Sequence, residues 1–425
     1  MRILLLSQWC TPEPAFKSVP FAKSLMEYGH SVRIITGFPN YPTGRVYPGY
    51  RIRPWQFDTI DGIPVLRVAL YPNHDQSALR RLLNYCSFAF SVVVVGVLLA
   101  PKADLLVVYH PPTTIFLPAL LFKWLRGIPF VIDINDIWPH QLSNIRGFRR
   151  TSLAYKLVDL LCRIAYRQAS GINAISSGYI PVLQAQGVST ARISIIQNWC
   201  REELMQDALR SPDEDDSDND RLFTVLFAGN MGYAQAMDSV IDAAEILGLR
   251  NCKVEFHFVG EGIEKPRLES RVDALGLGNV RFFPGCDQAE LAQHYRSADL
   301  LLVHLRKDRA LEVAIPSKIY DYLFVGKPIL AAVRGSAAEL VSLAGAGVSC
   351  EPENPERIAD SVESLSKLSA EKLREFGNNG RQYYLQKLSR KRAIQQFNEL
   401  FIECAWSKKM KADSHIAGDT KRKFV

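Results

Sequence analysis

The chain is poor in the features that mark most specialised classes. None of its 8 cysteines lies close enough to another to make a CxxC knuckle; they stand singly among apolar neighbours, as free thiols do in a reducing compartment. There is no HExxH, no other metal-ligand spacing and no nucleophile–base pattern, so neither a resident metal nor a covalent catalyst is expected. No basic run is interleaved with aromatics, so the net charge of +7 gives little ground for a nucleic-acid partner. It suits instead a surface that meets phosphates or an anionic membrane. The opening MRILLLSQWCTPEP has too short an apolar run for a secretory signal and no small-residue cleavage site. It is expected to be the first buried strand of a cytoplasmic protein. Nor is there a run of the roughly 20 apolar residues that span a bilayer. The longest, SFAFSVVVVGVLLAP at 87–101, falls short. It reads as a buried or half-buried helix, or as one lying in the membrane interface beside Arg80 and Arg81.

What is present is the composition of a folded globular protein, 48% apolar and 22% charged, in a chain of 425 residues that is too long for one core. Residues 2–7, SVRIITGF, ADLLVVYH, IPFVIDIND and GINAISS are short apolar runs bounded by turn residues, with helical patterns between them. That is the pattern of a parallel sheet covered on both faces. The acidic stretch SPDEDDSDND interrupts it as a solvated linker. A second series then begins: LFTVLFAGNMG, VEFHFVGEG, VRFFPG, ADLLLVHL and PILAAV. The fold expected is two doubly wound Rossmann-like α/β domains facing a central cleft. They would cover 1–205 and 222–388, with a linker at 206–221, a C-terminal helix at 389–410 packing back on the first domain, and a loose basic tail at 411–425.

Ligands bind such sheets beyond the carboxyl ends of the strands, so the loops there are the candidates. In AGNMG, the glycines Gly229 and Gly232 around Asn230 let backbone N–H groups approach a diphosphate, or simply make a strand-to-helix turn; GxGxxG and GK[ST] spacings are both missing. One unit later VGEGIEK places Gly260 and Gly262 at a tight strand exit, with Lys265 either near a phosphate or solvated. In AIPSKIYDYLFVGKPIL, Pro316 and Ser317 open a helix whose free N–H groups and Lys318 suit an oxyanion. Asp321, one turn on, suits the hydroxyls of a ribose. A Lys–Asp surface pair would have the same sequence. In VIDINDIWPH, Asp133, Asn135 and Asp136 are expected to point into the cleft, with Trp138 as a wall, unless they form an Asx turn. His110, before a Pro-Pro pair, suits a sugar hydroxyl or a proton transfer, or else a backbone carbonyl.

With these residues in view, the chain resembles the bacterial GT4 family of retaining glycosyltransferases. The resemblance rests on GHSVRIITGFPNYPTG, VYPGYR and DINDIWP in the first half, and on FAGNMG, FVGEG and IPSKIYDYLFVGKPILA in the second. It is strongest to the branch that builds O-antigen, capsule and exopolysaccharide, including N-acetylfucosamine transferases. It implies the GT-B fold, an acceptor-binding first domain and a nucleotide-sugar-binding second domain. The donor implied is UDP-linked, of the N-acetylhexosamine kind. Gly229 and Gly232 match the diphosphate-side turn, the segment after Gly260 the loop beside the base, and the helix from Pro316 the donor helix. The family usually has two acids there, seven residues apart; Asp321 matches the second, while Val313 stands at the first, beside Glu312. Ser317 and Lys318 then fall to the phosphates or the donor sugar. Where many members carry a catalytic His, this chain has Asn135, followed by Asp136. The loop TPEPAFKS matches the family's glycine-rich acceptor loop without its glycines and places Ala15, Phe16 and Lys17 at the acceptor.

The chemistry implied is front-face displacement with retention, without protein nucleophile, cofactor or divalent metal. The acceptor implied is a polyprenyl-diphosphate-linked saccharide, met in the cytoplasm at the inner face of the plasma membrane. A GT-B-type sugar-nucleotide epimerase and a non-catalytic nucleotide-sugar-binding subunit are the competing readings.

Overall fold

The computed structural model describes residues 1–74, 77–136, 138, 152–203, 205 and 221–420. They form two compact units, one of residues 1–175, 179–196 and 394–425, the other of 176–178 and 197–393. The acidic stretch 211–220 and, except for Arg221, the rest of the linker expected at 206–221 lie outside the described residues, as do the last residues of the basic tail, 421–425.

The first unit is built on eight strands: β1 (Arg2–Leu6), β2 (Ser31–Gly37), β3 (Trp55–Ile60), β4 (Ile63–Val68), β5 (Leu105–His110), β6 (Phe130–Ile134), β7 (Gly171–Ala174) and β8 (Ile193–Ile195). Their order is β3-β4-β2-β1-β5-β6-β7-β8. Every pair is parallel except the β3–β4 hairpin at the edge. That hairpin was not anticipated, although Asp61-Gly62 is its signature: both residues have positive φ, 50° and 80°, as a two-residue type I′ turn requires. The order in which strands are added reverses between β1 and β5, so the loops following those two parallel strands flank the topological switch point. Residues from Ile394 onward count with this unit: Phe397 packs edge-on against Phe21 at 5.2 Å, and Asn398 Oδ1 is 2.6 Å from His30 Nε2.

The apolar run is longer than its sequence suggested. A helix over Ala78–Ser91 continues without a break through a π-helical stretch, Val92–Gly96, and a last turn, Val97–Leu99. The span Leu79–Leu99, 21 residues, is long and apolar enough to cross a membrane by length and composition. The expectation that it falls short is corrected, because the helix begins at Ala78, well before the apolar run, and so carries Arg80 and Arg81 inside it. Phe88, Val92 and Val97 pack inward, whereas Leu79, Phe90 and Leu98 are 67%, 67% and 77% exposed.

The second unit carries six parallel strands, β9 (Phe223–Ala228), β10 (Val254–Val259), β11 (Val280–Phe283), β12 (Leu300–His304), β13 (Ile329–Ala332) and β14 (Gly347–Cys350). Their order is β11-β10-β9-β12-β13-β14. Val225, Phe227, Phe256, Phe258 and Leu302 fill the core with Ile241, Leu247 and Leu268 of the covering helices. The switch point lies between β9 and β12, which pair over only two residues.

Candidate functional site

The parallel register of β9 and β10 sets Ala228 opposite Val259, so the turns that follow lie abreast. Gly229 and Gly260 have φ of 131° and 138°, where side chains are strained. A Cβ on Gly260 would sit 2.2 Å from the Gly229 carbonyl oxygen, and one on Gly262 would sit 2.1 Å from that of Met231. These glycines therefore let the two turns lock together. The Gly229 N–H donates to Val259 O at 2.8 Å, Met231 N–H to Glu261 O at 2.8 Å and Gly232 N–H to Gln235 Oε1 at 3.0 Å. The amides of Gly229, Met231 and Gly232 are thus spent on bonds within the protein. Asn230 stays in the turn, 3.5 Å from Gln235 Oε1. Lys265 is corrected likewise: its Nζ donates to the carbonyls of Gly260 and Phe283 at 3.0 Å each and ties the loop shut.

What faces the Gly229 turn is Lys318. The helix Lys318–Val325 starts after Ser317, whose side chain makes no capping bond, and ends at Gly326 in the left-handed conformation. Ile319 N–H donates to Pro316 O and Tyr320 N–H to Ser317 O, which closes the first turn and aims its amino end at the turn after β9. Lys318 Nζ lies 3.4 Å from the centre of the Phe227 ring, and a Cβ on Gly229 would come within 3.1 Å of it. Among the described residues this buried ammonium has no hydrogen-bond partner. Burial pushes its pKa down to about 7, against the pull of Asp321. Burial also pushes Asp321 up to about 7, opposed first by Arg201 and then by Lys318. The alternative of a Lys–Asp surface pair is excluded, since both groups are desolvated and the ammonium is not bonded to the carboxylate. Glu312 does not replace the acid missing at Val313; its carboxylate turns to Arg334 at 4.0 Å.

Two residues of this region were missed. Tyr322 bridges the diverging strands at the switch point: its hydroxyl accepts from Ala228 N at 3.1 Å and donates to Leu302 O at 3.3 Å. Arg201 supplies the positive charge nearest in effect to Asp321. Neither has a local motif; each acts on residues that are far away in the chain.

In the first unit, Asp136 lies half-buried just past β6, and burial raises its pKa. Asn135 holds that loop rather than facing solvent. Its N–H and Nδ2 donate to His110 O at 3.3 and 3.1 Å, and its carbonyl accepts from the Tyr179 hydroxyl at 3.0 Å. His110 is corrected as a catalytic candidate. It is fully buried, stacked on Phe116 at 4.9 Å with Nε2 3.2 Å from Thr113 Oγ1. Burial pushes it down to about 3, so it is neutral at any working pH. Trp138 stands edge-on to its ring at 6.4 Å. Asp133 is corrected too, being 1% exposed and paired with Lys17 at 2.7 Å. Lys17, expected at the acceptor, is thus a buried partner of β6, while Phe16 and Ala15 remain half-buried on the loop. Lacking glycines, that loop keeps its shape through these charges. The Glu13 carboxylate accepts the N–H groups of Cys10, Asn40 and Tyr41 at 2.8–2.9 Å.

Comparison with known proteins agrees with both halves of this architecture. Residues 20–199 match the family described as glycosyl transferase 4-like domain, and 213–383 match glycosyl transferases group 1. The chain is 27% identical over 387 residues to WcaI of Escherichia coli (strain K12), named for colanic acid biosynthesis and glycosyl transfer; the match covers 88% of this chain and 92% of that one. It is 24% identical to WbjE of Pseudomonas aeruginosa, named as a glycosyltransferase, over 68% and 72% of the two chains. Among solved structures it resembles HepE of Anabaena in complex with UDP, with a TM-score of 0.64, 19% identity and coverage of 94% and 99%.

Proposed function

The chain belongs to the GT4-like glycosyltransferases of the GT-B fold, and from that premise we propose that it moves a sugar from a UDP-linked donor, of the N-acetylhexosamine kind, to a lipid-linked saccharide during polysaccharide synthesis. The observation that carries the donor half is the buried, unpartnered ammonium of Lys318 against the glycine turn after β9, at the amino end of a helix. A buried cation with no hydrogen-bonded partner is costly unless a ligand supplies one. A nucleoside diphosphate does so, and it leaves Asp321, one helical turn on, for the ribose hydroxyls.

The reaction is transfer with retention. The bond from the anomeric carbon to the β-phosphate oxygen breaks, and the acceptor oxygen bonds to the same face. The acceptor proton passes to the departing phosphate. Lys318 and the helix-start amides at Ser317 and Lys318 stabilise the charge that grows on that phosphate. The names of the relatives support a polysaccharide product. The exposed apolar side of the helix Leu79–Leu99 and the basic balance of the chain support contact with the inner membrane surface.

A panel of UDP-sugars screened by thermal shift tests the donor, since a ligand bound only by the folded state raises the melting temperature. Replacing Asp321 by alanine is expected to raise the donor KM tenfold or more, with kcat changing less. An unchanged donor KM would sink the ribose assignment. Replacing Asp136 by asparagine is expected to lower acceptor-dependent UDP release about a hundredfold with the fold intact; full activity would move the reacting loop elsewhere.

A further inference from the structure

Four aromatic side chains of the first unit that the donor chemistry does not use come together from four segments. Trp9 follows β1, Tyr41 follows β2, His74 follows β4 and Tyr85 lies on the helix Ala78–Ser91. Trp9 and Tyr41 have centroids 5.1 Å apart, Trp9 and Tyr85 6.4 Å at 78°, and Tyr41 and His74 4.6 Å at 84°. All four are partly exposed rather than sealed in the core. Three of them stand at the carboxyl ends of parallel strands, the side of an α/β sheet on which ligands bind.

The side chains that tie the segments carrying these rings, Gln8, Glu13 and Asn84, are polar and buried. Glu13 pins the segments carrying Trp9 and Tyr41 through the N–H groups of Cys10 and Tyr41. Gln8 Nε2 donates to Asn84 Oδ1 at 2.5 Å, and Asn84 Nδ2 to Tyr71 O at 2.6 Å, which fixes the helix next to Tyr85. A Cβ on Gly44 would fall 2.4 Å from His74 N, so the loops carrying Tyr41 and His74 are locked against each other. An aromatic cluster held from below by charges and amides, with its rings left partly open, is a preformed platform rather than core packing.

We propose that Trp9, Tyr41, His74 and Tyr85 form the acceptor's saccharide subsite, and that the acceptor is a saccharide carried on an anionic lipid. The inference rests on the glycosyltransferase reading and deepens it. Aromatic rings offer apolar faces to the C–H side of a pyranose, and their hydroxyl and imidazole edges meet its hydroxyl groups. Arg81, one turn before Tyr85 on the same helix face, places a positive charge near both His74 and Tyr85 and suits a diphosphate linker. The same helix turns its exposed apolar residues Leu79, Leu83 and Phe90 outward, where a lipid tail belongs. Behind burial, Arg81 and Tyr41, the Asp136 charge is the last and smallest influence on Tyr85, which puts the platform within electrostatic reach of the loop expected to carry the reaction.

The test uses the whole chain and a defined probe, farnesyl-diphosphate-linked N-acetylglucosamine, followed by tryptophan fluorescence. The wild type is expected to bind it. Tyr85→Ala and Tyr41→Ala are expected to weaken binding about tenfold or more, and Tyr85→Phe to retain it. Arg81→Gln is expected to weaken this probe but not a diphosphate-free disaccharide. The thermal shift given by UDP should be the same in all of them and also reports that each variant is folded. Folded variants that bind the probe like wild type would overturn the platform. A wild type that fails to bind it while still answering to UDP would overturn the acceptor class and leave the donor reading standing.

Discussion

Replacing Lys318 by methionine is expected to lower transfer by two to three orders of magnitude and, in the same protein, to raise the melting temperature measured without ligand. The two effects have one cause. Lys318 Nζ is buried over Phe227 with no hydrogen-bond partner among the described residues. Its pKa is about 7 in the folded chain against an ordinary 10.5. Between those values the unfolded chain binds more protons, so this group's contribution to stability rises with pH across about 7 to 10.5. Asp321 runs the other way: raised from 3.8 to about 7, it makes the folded chain the better proton binder, and its contribution falls as pH climbs through that window. The Lys318 burden is fullest below about pH 7 and the Asp321 burden above it, so the two overlap most near neutral pH. Methionine keeps the length and apolar stem of lysine and removes the charge, for an expected gain of about 1–2 kcal/mol, a few degrees in melting temperature. The gain should shrink as pH is raised from about 7 through 10.5, above which wild-type Lys318 is neutral in both states. A variant that is less stable than wild type near pH 7, or that transfers at the wild-type rate, would make Lys318 an ordinary packing residue.

The same stretch shows what sequence can and cannot carry. The helix opened by Pro316 and Ser317 was legible because its start signals are local and sit after a second set of strand-and-glycine turns. The parallel sheets were legible for a similar reason: strands buried on both faces read as unbroken apolar runs. The glycines were rightly singled out, but their reason lay in register. Gly260 must be glycine because β9 and β10 align Ala228 with Val259, a fact that no single turn reveals. Tyr322 hid in an apolar helix because its two partners, Ala228 and Leu302, lie on separate strands. His110 was placed at the chemistry because it ends a strand, as catalytic residues do; its burial depends on Phe116 and on a loop 25 residues later. The β3–β4 hairpin was the one element whose signal, Asp61-Gly62, was plain and unread.

Lys17 gives the sharpest contrast, because its two readings predict different measurements. On the sequence it belongs to an acceptor loop, and Lys17→Met would then weaken acceptor binding and leave stability alone. In the structure its ammonium is 2.7 Å from Asp133 Oδ2 with both side chains almost fully buried, and it also lies 4.7 Å from the centre of the Phe397 ring. Asp133 Oδ1 accepts from Asn173 Nδ2 at 2.7 Å, so the carboxylate is built into the middle of the sheet. Lys17→Met strands that carboxylate without its counter-charge, and breaking a buried pair from one side costs about 3–5 kcal/mol. The transition belonging to the first unit is expected to fall by about ten degrees in calorimetry, with the UDP-dependent shift of the second unit preserved. Asp133→Asn alone should be costly as well, by stranding the ammonium. The double variant Lys17→Met with Asp133→Asn has no charge left to strand, so it should be more stable than the sum of the two singles implies, with a coupling of a few kcal/mol. Additive losses would mean that the two groups do not depend on each other. A stable Lys17→Met with a raised acceptor KM would return Lys17 to the acceptor. The expected pattern instead makes the pair the device that holds a glycine-free loop in shape: Lys17 anchors the loop to β6, while Glu13 ties it to the N–H groups of Cys10, Asn40 and Tyr41.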